Sequence, residues 1–322
     1  MDISIIIPTY NRQQLLKHTL DSVVPDKHAS LACEVIVVDD QSTDATVGMV
    51  TADYPFVTLI KNGGNGAAAA RNTGLGIATG KYVLYLDSDD IVGEGALSVK
   101  VDFLNKHADY DFCYGDYEYF QSEAEFRVDT VVFWNKYQVA QEGRSLNQHL
   151  INYLKGDYIP PNAIVWRRTA LEKIGGHDPS LLINQDVELF VRAMLNGLKV
   201  GYVQDLSKVY VRHHDTDARV GSTNSVAKSK QVLQLRKDIY YRLQQTGHTQ
   251  EEYRKAISFY AFTEWRRQRD MKSEMADEFL EFAKSVHWPV ALQESAGFNL
   301  LAKLLGPDVA VRIKYFLFRR NF

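Results

Sequence analysis

Four apolar runs in the first ninety residues fix what this chain can become. They are ISIIIP from Ile3, CEVIVVDD from Cys33, FVTLI from Phe56 and KYVLYLD from Lys81. Each is short and almost continuously apolar, so each reads as a strand buried on both faces. Between them lie helix-like stretches: Arg12 to Val24, Ser42 to Asp53, and the alanine-rich GAAAARNTGLGIAT from Gly66. Strands alternating with helices predict an α/β fold, a Rossmann-like, mostly parallel sheet with helices on both faces.

The pattern changes after Asp90. A helix from about Gly95 to His107 leads to the aromatic strand YDFCYGDYEYF, and residues 121–145 include the strand-like RVDTVVFW. YIPPNAIVWRR, Tyr158 to Arg168, places a proline pair before a short strand. DVELFVRAMLNG, from Asp186, reads as a helix with a glycine stop. KVGYV and SKVYVRHHD follow as short strands. From about Ser225 the chain is helical and charged with no strand signal, which divides it into residues 1–222 and a helical C-terminal region, 223–322.

NGGNGAAAARNTGLG, from Asn62, holds a G-x-G-x-x-A spacing between a strand and a helix, the outline of a dinucleotide-binding turn. Its place argues against that reading. The dinucleotide fingerprint belongs to the first strand–helix turn, and here it follows the third strand. The first strand ends instead in PTYNR. The fourth strand ends in Asp87, Ser88, Asp89 and Asp90, and three carboxylates in four residues repel one another unless a cation sits among them. A hard divalent cation sharing its oxygen ligands with a phosphate answers that need. An acidic turn capping the next helix is the plainer alternative.

In a parallel sheet the strand ends converge on one rim, where open α/β sheets bind ligands. That rim would hold Tyr10, Asn11 and Arg12 from the first strand, Asp39 and Asp40 from the second, Arg71 from the helix behind the glycine loop, and the acidic cluster. An aromatic ring, carboxylates that accept from a base or ribose, an arginine and a metal cluster make a seat for a nucleoside diphosphate. Singly, each has a dull reading as a cap, a core edge or a surface residue.

The remaining composition excludes other classes. The chain has 322 residues, a net charge of −3 and 45 % apolar residues, with no basic excess for nucleic acid. Cys33 and Cys113 lie far apart in strand-like runs and read as buried free thiols, which fits a reducing compartment. Met1-Asp2 leads straight into a strand without a basic lead, and no run approaches a membrane span. The expected location is cytoplasmic.

Taken in order, SIIIPTYNR, VIVVDDQSTDAT, NGGNGAAAARNTGL, YVLYLDSDD, GGHDPSLLINQDVELFVR and YVRHH resemble the motifs of an inverting family-2 glycosyltransferase of the GT-A fold, over about two-thirds of the chain. The resemblance implies that Pro8, Tyr10, Arg12, Asp39, Asp40, Asn65 and Arg71 surround the nucleotide of a sugar donor, usually UDP-linked. Asp87, Ser88 and Asp89 match the D-x-D motif that binds ribose and, through Mn²⁺ or Mg²⁺, the diphosphate. Asp89, Asp90 and His214 are the implied metal ligands, with the choice between Asp89 and Asp90 open and His213 a neighbour of interest. The family's usual Glu-Asp pair reads Gln185-Asp186. Asp186 keeps the place of the catalytic base, although alone it reads equally as a helix-start residue stabilised by the macrodipole.

The implied chemistry needs a base to deprotonate an acceptor hydroxyl and a cation to stabilise the departing diphosphate. Arg212 and His214 are further candidates to meet the developing charge. One base and a single displacement mean inversion. Tyr158, Asn162, Trp166 and Gln185 are the acceptor-side candidates, Trp166 reading equally as core. The implied acceptor is a glycan or lipid-linked saccharide in bacterial polysaccharide or lipopolysaccharide synthesis. Alternatives on the same fold are transfer to a polyprenyl phosphate, which needs no base, and a non-catalytic nucleotide-sugar-binding protein. The cationic, aromatic tail NLLAKLLGPDVAVRIKYFLFRRNF suits either contact with an anionic membrane surface or a homo-oligomer contact.

Overall fold

The computed structural model describes residues 1–25, 30–120, 146–157, 159–204, 209–212 and 225–287. Towards the end it also describes 300–301, 304–306, 309–310 and 313. Two compact units divide the chain: Met1–Leu150 with Tyr158–Asn224, and Ile151–Asp157 with Ser225–Phe322. The second unit thus takes in a segment that a boundary at 222 leaves in the first.

The first unit is built on a seven-stranded sheet. Its strands are β1 (Ile3–Thr9), β2 (Cys33–Asp39), β3 (Val57–Lys61), β4 (Tyr82–Tyr85), β6 (Phe112–Gly115), β8 (Ile164–Arg167) and β9 (Val200–Val203), in the order β3-β2-β1-β4-β8-β6-β9. β1 to β4 are parallel, and β8 runs antiparallel between β4 and β6. β3 lies at the sheet edge with no buried residue, so FVTLI is not the doubly covered strand its apolar run predicts. All seven residues of β1 are buried, with Ile3, Ile5, Ile6 and Ile7 fully enclosed. Truncating one of these isoleucines to alanine would cost about 2–5 kcal/mol. Pro8 has no N–H to donate and sits where the pairing with β4 has already ended, at Ile6 against Tyr85.

Helices α1 (Gln13–Ser22), α2 (Thr46–Asp53), α3 (Gly66–Ile77), α4 (Ala96–Lys106), α6 (Arg168–Ile174) and α7 (Gln185–Leu195) surround the sheet, and α5 (Leu146–Lys155) bridges into the second unit's sequence. α3 lies close on β1 and β2 because position 74 is glycine. A Cβ there would meet Ile6 Cγ2 at 2.4 Å. A second sheet of β5 (Ile91–Val92), β10 (Val209–Arg212) and β7 (Tyr117–Phe120) sits beyond the end of β4. Its register, Val209 on Val92 and Tyr210 on Ile91, sets Arg212 beside the acidic turn.

The second unit contains α8 (Val226–Gln245), α9 (Glu251–Asp270) and α10 (Ala276–Val286). Ser225 caps α8 through the Lys228 N–H, and Ser258 of α9 donates to the carbonyls of Ala283 and His287. Arg236 is buried with its guanidinium 3.7 Å from the Tyr260 ring centre. Near the chain end Leu300, Leu304, Leu305 and Val309 are exposed. The tail's basic residues lie outside the described residues, as does RVDTVVFW. Among the described residues no helix is long and apolar enough to cross a membrane.

Candidate active site

The ends of β1 to β4 form one continuous rim. Asn11, in the left-handed region at φ 49°, joins the first two loops: its Oδ1 accepts from Thr43 N at 2.7 Å and its N–H donates to Ser42 Oγ at 2.9 Å. Gln41 Nε2 reaches on to Asn65 Oδ1 at 3.0 Å. Tyr10 projects from this rim with 55 % of its surface exposed, and Arg12 is half-buried beside it, its N–H donating to Thr46 Oγ1.

Adjacent Asp39 and Asp40 do different things. Asp40 Oδ1 accepts from Asn62 Nδ2 at 2.7 Å and Oδ2 from Gly66 N at 2.9 Å, so this carboxylate fills the N-terminus of α3. That answers the glycine loop: the place a dinucleotide's pyrophosphate would take is held by a protein carboxylate. Asp40 itself stays half-buried at the rim. Asp39 is buried, accepts from Ser42 N through Oδ2, and has no partner for Oδ1.

The acidic turn is anchored from three sides. Asp87 Oδ1 accepts from Arg71 Nη2 at 2.6 Å. Ser88 is nearly enclosed and Asp89 is half-buried. Asp90 is buried, and its two oxygens accept from Arg212 N at 2.7 Å and Asn162 Nδ2 at 3.1 Å. Burial first, then the charges of Asp89 and Asp87, push Asp90 well above the usual carboxylate range, against the pull of Arg212. Arg212 also donates through Nε to the Asp89 carbonyl and packs on the Phe120 ring.

Arg71, only 4 % exposed, is the hub. Besides Asp87 it donates through Nη1 to Gln185 Oε1 at 2.9 Å, and that nitrogen lies 3.9 Å from Asp186 Oδ1. Asp186 sits in the first turn of α7, with its side chain 30 % exposed. Its Oδ1 also lies 3.3 Å from His177 Nε2. Burial opposes the charge on Asp186, but Arg71 and the His177 contact outweigh it and pull its pKa down to about 2. The carboxylate is ionised across the physiological range.

Several sequence expectations change here. Asn162 and Trp166 do not face an acceptor: Asn162 is fully buried under Asp90, and Trp166 is buried and stacked on Phe112 with ring centres 4.0 Å apart. Gln185 is buried and its amide is engaged at both ends, by Arg71 and by the Leu181 carbonyl at 2.7 Å. Tyr158, His213 and His214 lie outside the described residues. Among the described residues no group of three or more His, Cys, Asp or Glu side chains is arranged to hold a metal. His177 and Tyr85 are the site residues that the sequence reading missed. His177 stood in the quoted GGHD, but nothing local marks a partner nine residues away.

With that geometry in place, the chain can be assigned. The family model for glycosyl transferase family 2 matches residues 4–175, just over half of the chain, and the chain belongs to that family. It is similar to the poly(ribitol-phosphate) beta-N-acetylglucosaminyltransferase TarP of Staphylococcus aureus, 37 % identical over 178 residues, 53 % of this chain and 47 % of TarP. It is also similar to the UDP-Glc:alpha-D-GlcNAc-diphosphoundecaprenol beta-1,3-glucosyltransferase WfgD of Escherichia coli, 36 % identical over 118 residues, 36 % of this chain and 46 % of WfgD. The match thus spans less than half the length of either relative. The crystal structure of S. aureus TarS 1-349 in complex with UDP-GlcNAc superposes with a TM-score of 0.64. The two are 20 % identical, and the match covers 88 % of this chain and 79 % of that one, a likeness of fold.

Proposed function

We propose that the chain is an inverting, metal-dependent glycosyltransferase. It moves a sugar from a nucleoside-diphosphate sugar, UDP-linked, to a hydroxyl of a glycan or lipid-linked saccharide in bacterial cell-surface polysaccharide synthesis. One observation carries this reading: a single buried guanidinium, Arg71, spans Asp87 on the donor side and Asp186 on the acceptor side. A base is thereby fixed next to the place where a donor's diphosphate end would lie. The UDP-glucose named for WfgD and the UDP-GlcNAc bound to TarS support a uridine donor.

On this reading Tyr10 offers an exposed ring to the base, and Asp40, half-buried at the rim, offers a carboxylate to a base or ribose donor. Asp186 takes the proton of the acceptor hydroxyl as its oxygen bonds to the anomeric carbon. The bond from that carbon to the diphosphate breaks on the opposite face, and its electron pair leaves with the phosphate oxygen, so the anomeric centre inverts. Arg71 orients Asp186 and, with Arg212, keeps positive charge beside the acidic turn.

The donor set at that turn fits a hard divalent cation. Its side-chain donors are three carboxylates and the Ser88 hydroxyl, all oxygen, and burial first, then the charges of Asp89 and Asp87, raise Asp90. Asp89 and Asp90 are the residues that would hold the metal, Asp90 while also accepting from Asn162 and Arg212, with substrate phosphates completing the shell. Bound Mn²⁺ or Mg²⁺ supplies Lewis-acid stabilisation of the leaving diphosphate. The exposed leucines and the basic sequence at the chain end support contact with an anionic membrane, where a lipid-linked acceptor would lie.

Calorimetric titration with UDP, GDP and NAD, with Mn²⁺ and then EDTA, tests the donor site. Metal-linked UDP binding that Asp89→Ala abolishes supports the reading. Binding of NAD or GDP in place of UDP would overturn it.

A further inference from the structure

His177 is a polar ring in a place built for an apolar one. Gly175 and Gly176 precede it at φ 81° and 67°, a turn that side chains disfavour. The backbone after the turn is gripped on both sides by Asn72 of α3, whose Oδ1 accepts from His177 N at 2.8 Å and whose Nδ2 donates to His177 O at 2.7 Å. Arg192 of α7 donates to the carbonyls of Ile174 and Gly176. The imidazole so placed is 2 % exposed and meets the Tyr85 ring edge-on, with centres 4.7 Å apart.

A phenylalanine would fill this space without a polar atom to bury. The imidazole instead leaves Nδ1 enclosed and without a partner, an arrangement that costs stability. What it gains is Nε2, 3.3 Å from Asp186 Oδ1. An ionised carboxylate can only accept, so the proton of the neutral ring belongs on Nε2. Burial, with Arg71 and Arg192 nearby, keeps that ring neutral against the pull of Asp186.

We infer that His177 is a positioning residue for the glycosyl transfer proposed above: its Nε2–H, together with Arg71, holds Asp186 Oδ1 and leaves Oδ2 to take the acceptor's proton. This rests on Asp186 being the base. The contact acts on orientation. The proton taken from the acceptor stays on Asp186, and His177 neither gains nor loses one.

The test compares the wild type with His177→Phe and His177→Gln. The readouts are UDP affinity by calorimetry with Mn²⁺, and UDP release from UDP-glucose or UDP-N-acetylglucosamine. The phenylalanine keeps the ring packing and removes the donor, and the glutamine keeps a donor. Expected for His177→Phe is unchanged UDP affinity and donor KM, with kcat lowered about 10- to 100-fold. His177→Gln should recover part of that loss. A His177→Phe enzyme within about twofold of wild-type kcat, or a His177→Gln enzyme just as slow, would overturn the inference. ¹H–¹⁵N correlation of the wild-type imidazole gives an answer that needs no variant to fold: a proton on Nε2 supports the inference and one on Nδ1 overturns it. A wild type that neither binds UDP nor releases it would instead count against the transferase reading, and the tautomer would still be read.

Discussion

Arg71 Nη2 lies 2.6 Å from Asp87 Oδ1, and the arginine that makes this pair is almost entirely enclosed. It comes from α3, whose glycine loop looks like a cofactor cradle in the sequence. The loop's work is to set the start of α3 against Asp40 so that Arg71, one turn further on, reaches across to β4 and α7.

Replacing Arg71 therefore disturbs two carboxylates and an amide together. Arg71→Met leaves Asp87, Asp186 and Gln185 without their shared donor. Removing one partner of a buried ionic network costs about 3–5 kcal/mol. Urea unfolding should report a loss at the lower end of that range, since Asp87 is 37 % exposed. UDP release should fall below detection.

The neighbours Asp39 and Asp40 should both show in stability. Asp40→Ala removes the acceptor for Gly66 N and Asn62 Nδ2 and should cost about 1–2 kcal/mol in urea unfolding. Asp39→Asn can keep the Ser42 contact through its oxygen, but it places an NH₂ where the enclosed Oδ1 has no partner. It should cost about 1–3 kcal/mol in urea unfolding and leave UDP affinity within about threefold of wild type by calorimetry.

Much of the architecture was legible in the sequence because burial on both faces writes itself into continuous apolar runs: β1, β2 and β4 fall where ISIIIP, CEVIVVDD and KYVLYLD stand. The convergence of strand ends on one rim followed from parallel pairing alone. Which carboxylate has which task did not. Asp39 and Asp40 are the same residue type one position apart, and only the position of Gly66 decides which of them caps α3. Trp166 and Asn162 looked like sugar contacts because residue type says nothing about exposure. His177 was hidden because its partner depends on how a glycine turn meets α7.

Gln185 balances the charge around Arg71. Its oxygen accepts from Arg71 and its NH₂ donates to the Leu181 carbonyl, two tasks that a carboxylate cannot share. Gln185→Glu would add a third negative charge to one guanidinium and set two acceptors face to face at Leu181. A loss of about 1–2 kcal/mol is expected in urea unfolding. A more stable variant would contradict this account of the amide.

The pH dependence follows from signs. Asp186 has a pKa of about 2, below the ordinary carboxylate value. A depressed carboxylate keeps its stabilising contacts above the unfolded-state pKa and loses them only as pH falls through the folded one. Its contribution should therefore vanish between about pH 4 and pH 2. His177 is lowered below the ordinary histidine value, by burial first, so it is neutral at pH 7 and above. A profile of kcat/KM at fixed Mn²⁺ should show no acid limb from this pair between about pH 7 and 8. A limb from His177 in that range would contradict the account.

The most direct test of the central claim is Asp186→Asn, assayed for UDP binding with Mn²⁺ and for sugar transfer on the same preparation. The account predicts wild-type UDP affinity with turnover reduced about 10²- to 10⁴-fold, the share a positioned general base contributes. Transfer at near wild-type rates would contradict it, and would point to an acceptor that arrives already ionised.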